Sequence, residues 1–226
     1  MAVIKSTGQY LVKGVFVFAF VYFTILMILI TMQYIPIDQD VAFLRIKIDE
    51  IALWYYQVAF FTHVYSSIFV HILGALQFST WLRRKYSMVH NAIGKIYVLM
   101  ILFFAGPSGL VMAFYATGGI SSQIAFSLLA ISWLFFTWKG WQFAKMKAWP
   151  SHRKFMLRSY ALTLSAVSLR LIKWIIVNTL APPPLDTYRF IAWGGWIINL
   201  LLVELYIYKK MKPGIGSTTE AGTAMF

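Results

Sequence analysis

Apolar residues run along this chain in long unbroken stretches, of which "VFVFAFVYFTILMILI" from Val15 to Ile30 is the first. A continuous run of about 20 apolar residues suits a helix crossing a hydrocarbon layer about 30 Å thick. Transmembrane strands would alternate apolar and polar positions, and these runs do not. Six spans are predicted, over about residues 13–34, 54–82, 91–115, 121–145, 156–181 and 189–209. The expected fold is an all-α integral membrane bundle with spans 2–5 as a four-helix core and spans 1 and 6 flanking it. One transmembrane domain covers residues 1–212, and the small polar residues of "GIGSTTEAGTAMF" predict a disordered cytoplasmic tail over 213–226.

Polar positions between the spans differ sharply in charge. Arg83, Arg84, Lys85 and Lys95 follow the second span, and Lys145, Lys147, Arg153, Lys154 and Arg158 follow the fourth. Lys5, Lys13, Lys209, Lys210 and Lys212 sit near the two ends, whereas the alternate connections hold Asp38, Asp40, Asp49, Glu50 and Asp186 with few cations. By the positive-inside rule both termini are expected in the cytoplasm. The first apolar stretch is too long for a signal peptide and lacks a small-x-small cleavage site, so it reads as a retained span.

Composition agrees with this pattern. Hydrophobic residues make up 60% and charged residues 12%, where a soluble domain would carry about a quarter charged. The net charge of +13 flanks the apolar runs, which points to anionic lipid and away from nucleic acid. There is no cysteine, so disulfides, thiolate metal sites, iron–sulfur clusters and covalently attached haem are excluded.

Local signals add detail. "AGPSGL" sets Pro107 between two glycines and predicts a kink in the third span. The long first outer connection suits a short interfacial helix ending in an aromatic belt at Trp54, Tyr55 and Tyr56, and "APPPLDTY" suits a stiff turn. A weak internal repeat relates the turn from Trp81 to Tyr97 with that from Trp141 to Tyr160, matching His90 to His152 and Tyr97 to Tyr160.

Ionisable residues inside the spans are the candidates for chemistry. His63, Ser67, His71 and Gly74 share one broad helical face. At about 1.5 Å per residue, His71 lies roughly 16 Å from one end of its helix, and Arg170 lies roughly 18 Å from Arg158, at the same level. His63, His71, Arg170 and Lys173 therefore form a predicted mid-membrane polar site. No acidic residue is available to Arg170 at that depth, while Glu204 is better placed for Arg158. An unpaired guanidinium calls for an anionic or dipolar partner: a haem propionate, a quinone oxygen, a lipid headgroup, a transported anion or backbone carbonyls. Lys173 can also snorkel to headgroups.

His90 and His152 each precede a span at its basic end. Two facing imidazoles suit the axial positions of a haem iron or part of a mononuclear metal site, with His71 as a further metal-ligand candidate. Clustered cations such as Arg153 suit propionates. Interfacial histidines touching lipid phosphate remain the alternative. Walker, dinucleotide, HExxH and hydrolase nucleophile motifs are absent, and no catalytic residue is assigned.

"VHILGALQFSTWLRRKYSMVHNAIGKIYV" and "SHRKFMLRSYALTLSAVSLRL" resemble a large bacterial family of predicted multi-pass membrane proteins of unknown function. The resemblance rests on His71, His90, Gly94, His152, Arg153, the stretch from Arg158 to Thr163, and Arg170, and "RSYALT" is its most specific piece. It implies a bacterial inner membrane and no particular activity. The layout is also similar to six-helix b-type cytochromes, in which each core helix donates one histidine. The fourth span here has none, so that plan leaves room for one bis-histidine haem at most. The expected function is a membrane redox protein, with one b-type haem or a metal on His90 and His152, passing electrons to or from a quinone or metal. Whether it acts as an enzyme is left open. The alternatives are a small permease for an anionic solute and a non-catalytic accessory subunit of a larger membrane complex.

Overall fold

The computed structural model describes residues 2–180 and 183–211, and these form helices with no strand among them. The helices are α1 (Ala2–Met32), α2 (Ile48–Ile51), α3 (Trp54–Gln77), α4 (Thr80–Lys85), α5 (Ser87–Met100), α6 (Gly106–Phe114), α7 (Ile120–Lys145), α8 (Trp149–Thr163), α9 (Ser165–Leu180) and α10 (Pro184–Lys210). The expected tail over 213–226 lies outside the described residues, as do Ala181 and Pro182 of the proline turn. Pro183 has the φ of −52° and ψ of 139° of an extended polyproline residue, and Pro184 opens α10 where its missing N–H costs nothing.

Among the described residues four helices are long and apolar enough to cross a membrane: α3, the run Ser87–Phe114, α7, and Leu185–Lys210. Taken together, α8 and α9 make a fifth, bent by 41°, and α1 adds the shorter apolar stretch Val17–Met32. Length and composition thus mark four or five crossings where six were expected. The fifth is broken at Leu164, between α8, which carries His152, Arg153, Lys154 and Arg158, and the more apolar α9. At the bend Thr163 donates its hydroxyl to the Ser159 carbonyl at 3.2 Å, a back-bond of the kind that bends helices. The irregularity expected at Pro107 takes another form, a π-helical turn over Ile101–Ala105 immediately before Gly106. Outward-facing apolar side chains such as Phe18, Phe103, Leu201 and Leu202 suit contact with lipid tails.

Two buried clusters hold the bundle. One gathers Val70, Tyr97, Val98, Ile101, Trp133, Leu162 and Trp196, so α10 contributes to the core together with α3, α5, α7 and α8. This corrects the flanking role expected for the last span. The other gathers Tyr34, Leu44, Ile51, Tyr56, Phe60 and Phe61 and seats the first long connection on α3. That connection holds a 3-10 turn over Ala42–Ile46 and then α2. Trp54 is exposed as a belt residue should be, but Tyr56 is core.

Lys47 anchors the connection from within. Its buried ammonium donates to Glu50 Oε1 and to the Tyr115 carbonyl at the end of α6, both at 2.6 Å. Charged hydrogen bonds contribute about 1.5–3 kcal/mol, and a buried methionine would recover part of that through packing. Lys47→Met is therefore expected to lose about 1 kcal/mol, a fall of about 2–4 °C in the thermal midpoint for a chain of this size. An unchanged midpoint in detergent would mean that the aromatic cluster holds the connection unaided.

Candidate functional site

Two cavities among the described residues gather the predicted site residues. The larger, about 1020 Å³, opens among the basic ends of α3, α5, α7, α8 and α10 and is lined by both His90 and His152. Arg83, Lys95, Lys145, Arg153, Lys154 and Lys210 also line it, and no aspartate or glutamate among the described residues does. The predicted trio of His90, His152 and Arg153 is thus brought to one place by separate helix pairs.

His90 sits in the first turn of α5, where its carbonyl accepts from Gln77 Nε2 at 3.2 Å. Gly94 makes room for that contact: a Cβ there would stand 3.0 Å from Gln77 Oε1. The His-x-x-x-Gly spacing therefore has a local cause. His90 Nδ1 is buried without a hydrogen-bond partner. His152 Nδ1 lies 2.8 Å from the Gly140 carbonyl. A carbonyl only accepts, so Nδ1 carries the proton and the neutral ring keeps its lone pair on Nε2. Trp149 meets the same imidazole edge to face.

The smaller cavity, about 540 Å³, is lined by His63, His71, Arg170 and Lys173, all four residues of the predicted polar site. His63 Nδ1 lies 2.9 Å from the Ala105 carbonyl at the end of the π turn, and Gly109 leaves space for its ring. His71 Nε2 lies 3.0 Å from Thr24 Oγ1, and Thr24 gives its one proton to the Phe20 carbonyl at 2.8 Å. His71 Nε2 is consequently the donor in that pair, and the neutral ring keeps its lone pair on Nδ1. His71 also stacks on Phe20 and Tyr160 and does not line the cavity of the other two histidines. The structure does not bring it to His90 and His152, and no group of three or more His, Cys, Asp or Glu suited to a metal occurs among the described residues.

The two cavities meet through side chains, since Tyr97 lines the larger one and its hydroxyl lies 3.2 Å from Thr163 Oγ1, which lines the smaller. Tyr97 and Tyr160 close on Gly74, where a Cβ would stand 2.7 Å from the first ring and 2.5 Å from the second. These are the two tyrosines that the internal repeat pairs. Behind them runs a buried hydroxyl network that sequence reasoning did not find. Tyr97 Oη lies 2.9 Å from Ser159 Oγ and 3.2 Å from Thr163 Oγ1, Ser159 Oγ lies 2.7 Å from Thr137 Oγ1, and Trp133 Nε1 donates to Thr163.

Each residue of "RSYALT" has a part in this tyrosine layer or beside it. Arg158 forms a two-pronged ion pair with Glu204, its Nη2 2.8 Å from Oε2, as the sequence positions suggested. Ser159 and Thr163 carry the network, and Tyr160 donates to the His71 carbonyl at 3.3 Å. The Ala161 carbonyl accepts from Asn199, and Leu162 lies in the core.

Neither the curated proteins nor the solved structures offer a match to the chain. A family described as predicted membrane protein (DUF2306) matches residues 60–207, a segment that includes both histidines of the basic cavity, the tyrosine layer and the polar residues of the second cavity. The chain belongs to this family of predicted membrane proteins.

Proposed function

We propose that the chain is a membrane electron-transfer protein holding one b-type haem in the basic cavity. The observation that carries this reading is the sharing of one acid-free cavity by His90 and His152. A volume of about 1020 Å³ is ample for a planar group of that size. His152 has the arrangement usual for a metal-binding imidazole, with Nδ1–H given to a backbone carbonyl and Nε2 left free. The unpaired Nδ1 of His90 leaves that ring without a fixed protein partner. Arg83, Lys95, Lys145 and Arg153 would neutralise two propionates, and Tyr97, Tyr160 and Trp141 would exclude water from the ring. Bound there, the haem supplies one-electron redox chemistry with a quinone or metal as its exchange partner.

The test is a visible spectrum of protein purified after haem-replete expression, before and after dithionite, with metal analysis alongside. A colourless and metal-free preparation sinks the reading. It would leave a permease for an anionic solute, favoured by two acid-free cavities that meet through Tyr97 and Thr163.

In the same reading α1 and the bent pair of α8 and α9 both cross the membrane, giving six spans with the basic cavity and both termini toward the cytoplasm of a bacterial inner membrane. The charge asymmetry of the connections supports this orientation. Because the chain has no cysteine, single cysteines can report it cleanly. A cysteine at Ser87 should resist an impermeant maleimide in intact cells, and one at Asp40 should react. The reverse pattern would invert the orientation.

A further inference from the structure

Arg170 has no ion-pair partner among the described residues. One guanidinium nitrogen, Nη1, donates to the Ala166 carbonyl of its own helix at 2.8 Å. A guanidinium has five N–H donors, so this one bond leaves most of them without a partner among the described residues, and Arg170, an exposed residue, lines the smaller cavity. Lys173, three residues further along α9, lines the same space. Two hydroxyl oxygens there, Ser67 Oγ and Ser165 Oγ, are buried without a hydrogen-bond partner. Buried polar atoms are seldom left so, and several around one void mark a place for a ligand. No carboxylate among the described residues lines the cavity to satisfy these donors.

The rest of the lining has a different character. Tyr56, Phe60, Phe126, Trp133 and Tyr188 present rings to the void. A small hydrated anion would satisfy Arg170 and leave these walls without contact, and a neutral apolar molecule would do the opposite. A molecule that meets both carries one oxyanion on an apolar, ring-bearing body.

We propose that the mid-bundle cavity binds an aromatic monocarboxylate or a similar amphiphilic organic anion, with its oxyanion on Arg170 and its ring among the tyrosine, phenylalanine and tryptophan side chains. The site is separate from the basic cavity and stands whether or not haem is bound there. Bidentate pairing of guanidinium with carboxylate gives both strength and orientation, which a lysine would supply less well.

The probe is 2-naphthoate, measured by equilibrium dialysis against nanodiscs holding the full chain, with empty nanodiscs as background. Wild-type protein should bind 2-naphthoate at least about tenfold more tightly than 2-naphthamide, which keeps the ring and lacks the charge. Arg170→Gln should lose that preference, and Arg170→Lys should retain part of it. Competition by phosphatidylglycerol in the nanodisc, with no preference between the two naphthalene probes, would assign the cations to lipid headgroups and overturn the proposal. Equal binding of acid and amide, absence of binding, or an unchanged preference in Arg170→Gln would each overturn it as well. Should Arg170→Gln fail to fold, the comparison of acid with amide on the wild-type chain still decides.

Discussion

His152→Ala should purify without the haem absorption that the wild-type chain is proposed to show, and His90→Ala should do the same. Each substitution removes one of two imidazoles in a cavity with no third histidine and no cysteine or carboxylate to replace it. Loss even of an outer hydrogen-bond partner lowers metal affinity by about 10–100-fold, and loss of a ligand itself costs more. The His152 side chain also contributes one hydrogen bond to Gly140, worth about 1 kcal/mol, so folding should survive the change. Arg153→Ala provides a graded comparison. It removes one of six lining cations, so the band positions should hold while haem is lost more readily on dilution in salt. A pyridine haemochrome assay per mole of purified protein measures all three variants. Full haem content in both histidine variants would show that the two rings do not share an iron, whatever their place in the cavity.

How far the sequence reached depends on which physical rule was in use. Helical rise is nearly fixed, so the common depth of His71 and Arg170 could be counted from residue numbers, and both residues line one cavity. The same counting paired Arg158 with Glu204. Side-chain direction is not fixed by counting. His71 was a candidate metal ligand with His90 and His152, yet it turns toward Thr24 on α1, a residue with nothing in its sequence context to mark it. The hydroxyl network escaped for a related reason. Serine, threonine and tyrosine are common in apolar helices, and only packing reveals that Tyr97, Thr137, Ser159 and Thr163 meet. Lys47 was read as part of a polar outer connection, because a charged residue in a loop gives no local sign that a distant carbonyl awaits it. Breaks in the helices were half legible. Pro107 marks the irregular turn, but the bend at Leu164 has no glycine or proline beside it and coincides with the Thr163 back-bond to the Ser159 carbonyl.

Gly74→Ala should destabilise the bundle by about 2 kcal/mol, although alanine is the better helix former. In the last turn of α3 the added methyl contributes at most about 1 kcal/mol of helix propensity. Against that stands a Cβ 2.5 Å from the Tyr160 ring and 2.7 Å from the Tyr97 ring, closer than real contacts allow. Overpacking of this kind costs about 1–3 kcal/mol, and here both rings are restrained. Tyr97 is held by Ser159 and Thr163, and Tyr160 is held by the His71 carbonyl and by Phe78. Moving either ring also disturbs the contact between the cavities, so the upper part of that range applies. Gly74→Val should be worse, since branching adds bulk on the same face and lowers helix propensity relative to alanine. The thermal midpoint in a fixed detergent should fall in the order wild type, Ala, Val, by roughly 4–8 °C for alanine if about 2–4 °C accompanies each kcal/mol. Tyr160→Phe in the Gly74→Ala background tests the cause. Freeing the ring from the His71 carbonyl should let it tilt and recover part of the loss, whereas a purely additive further drop would place the strain on Tyr97 alone. An alanine variant as stable as wild type would mean that the two tyrosines yield freely, and the layer could not then hold a fixed contact between the cavities.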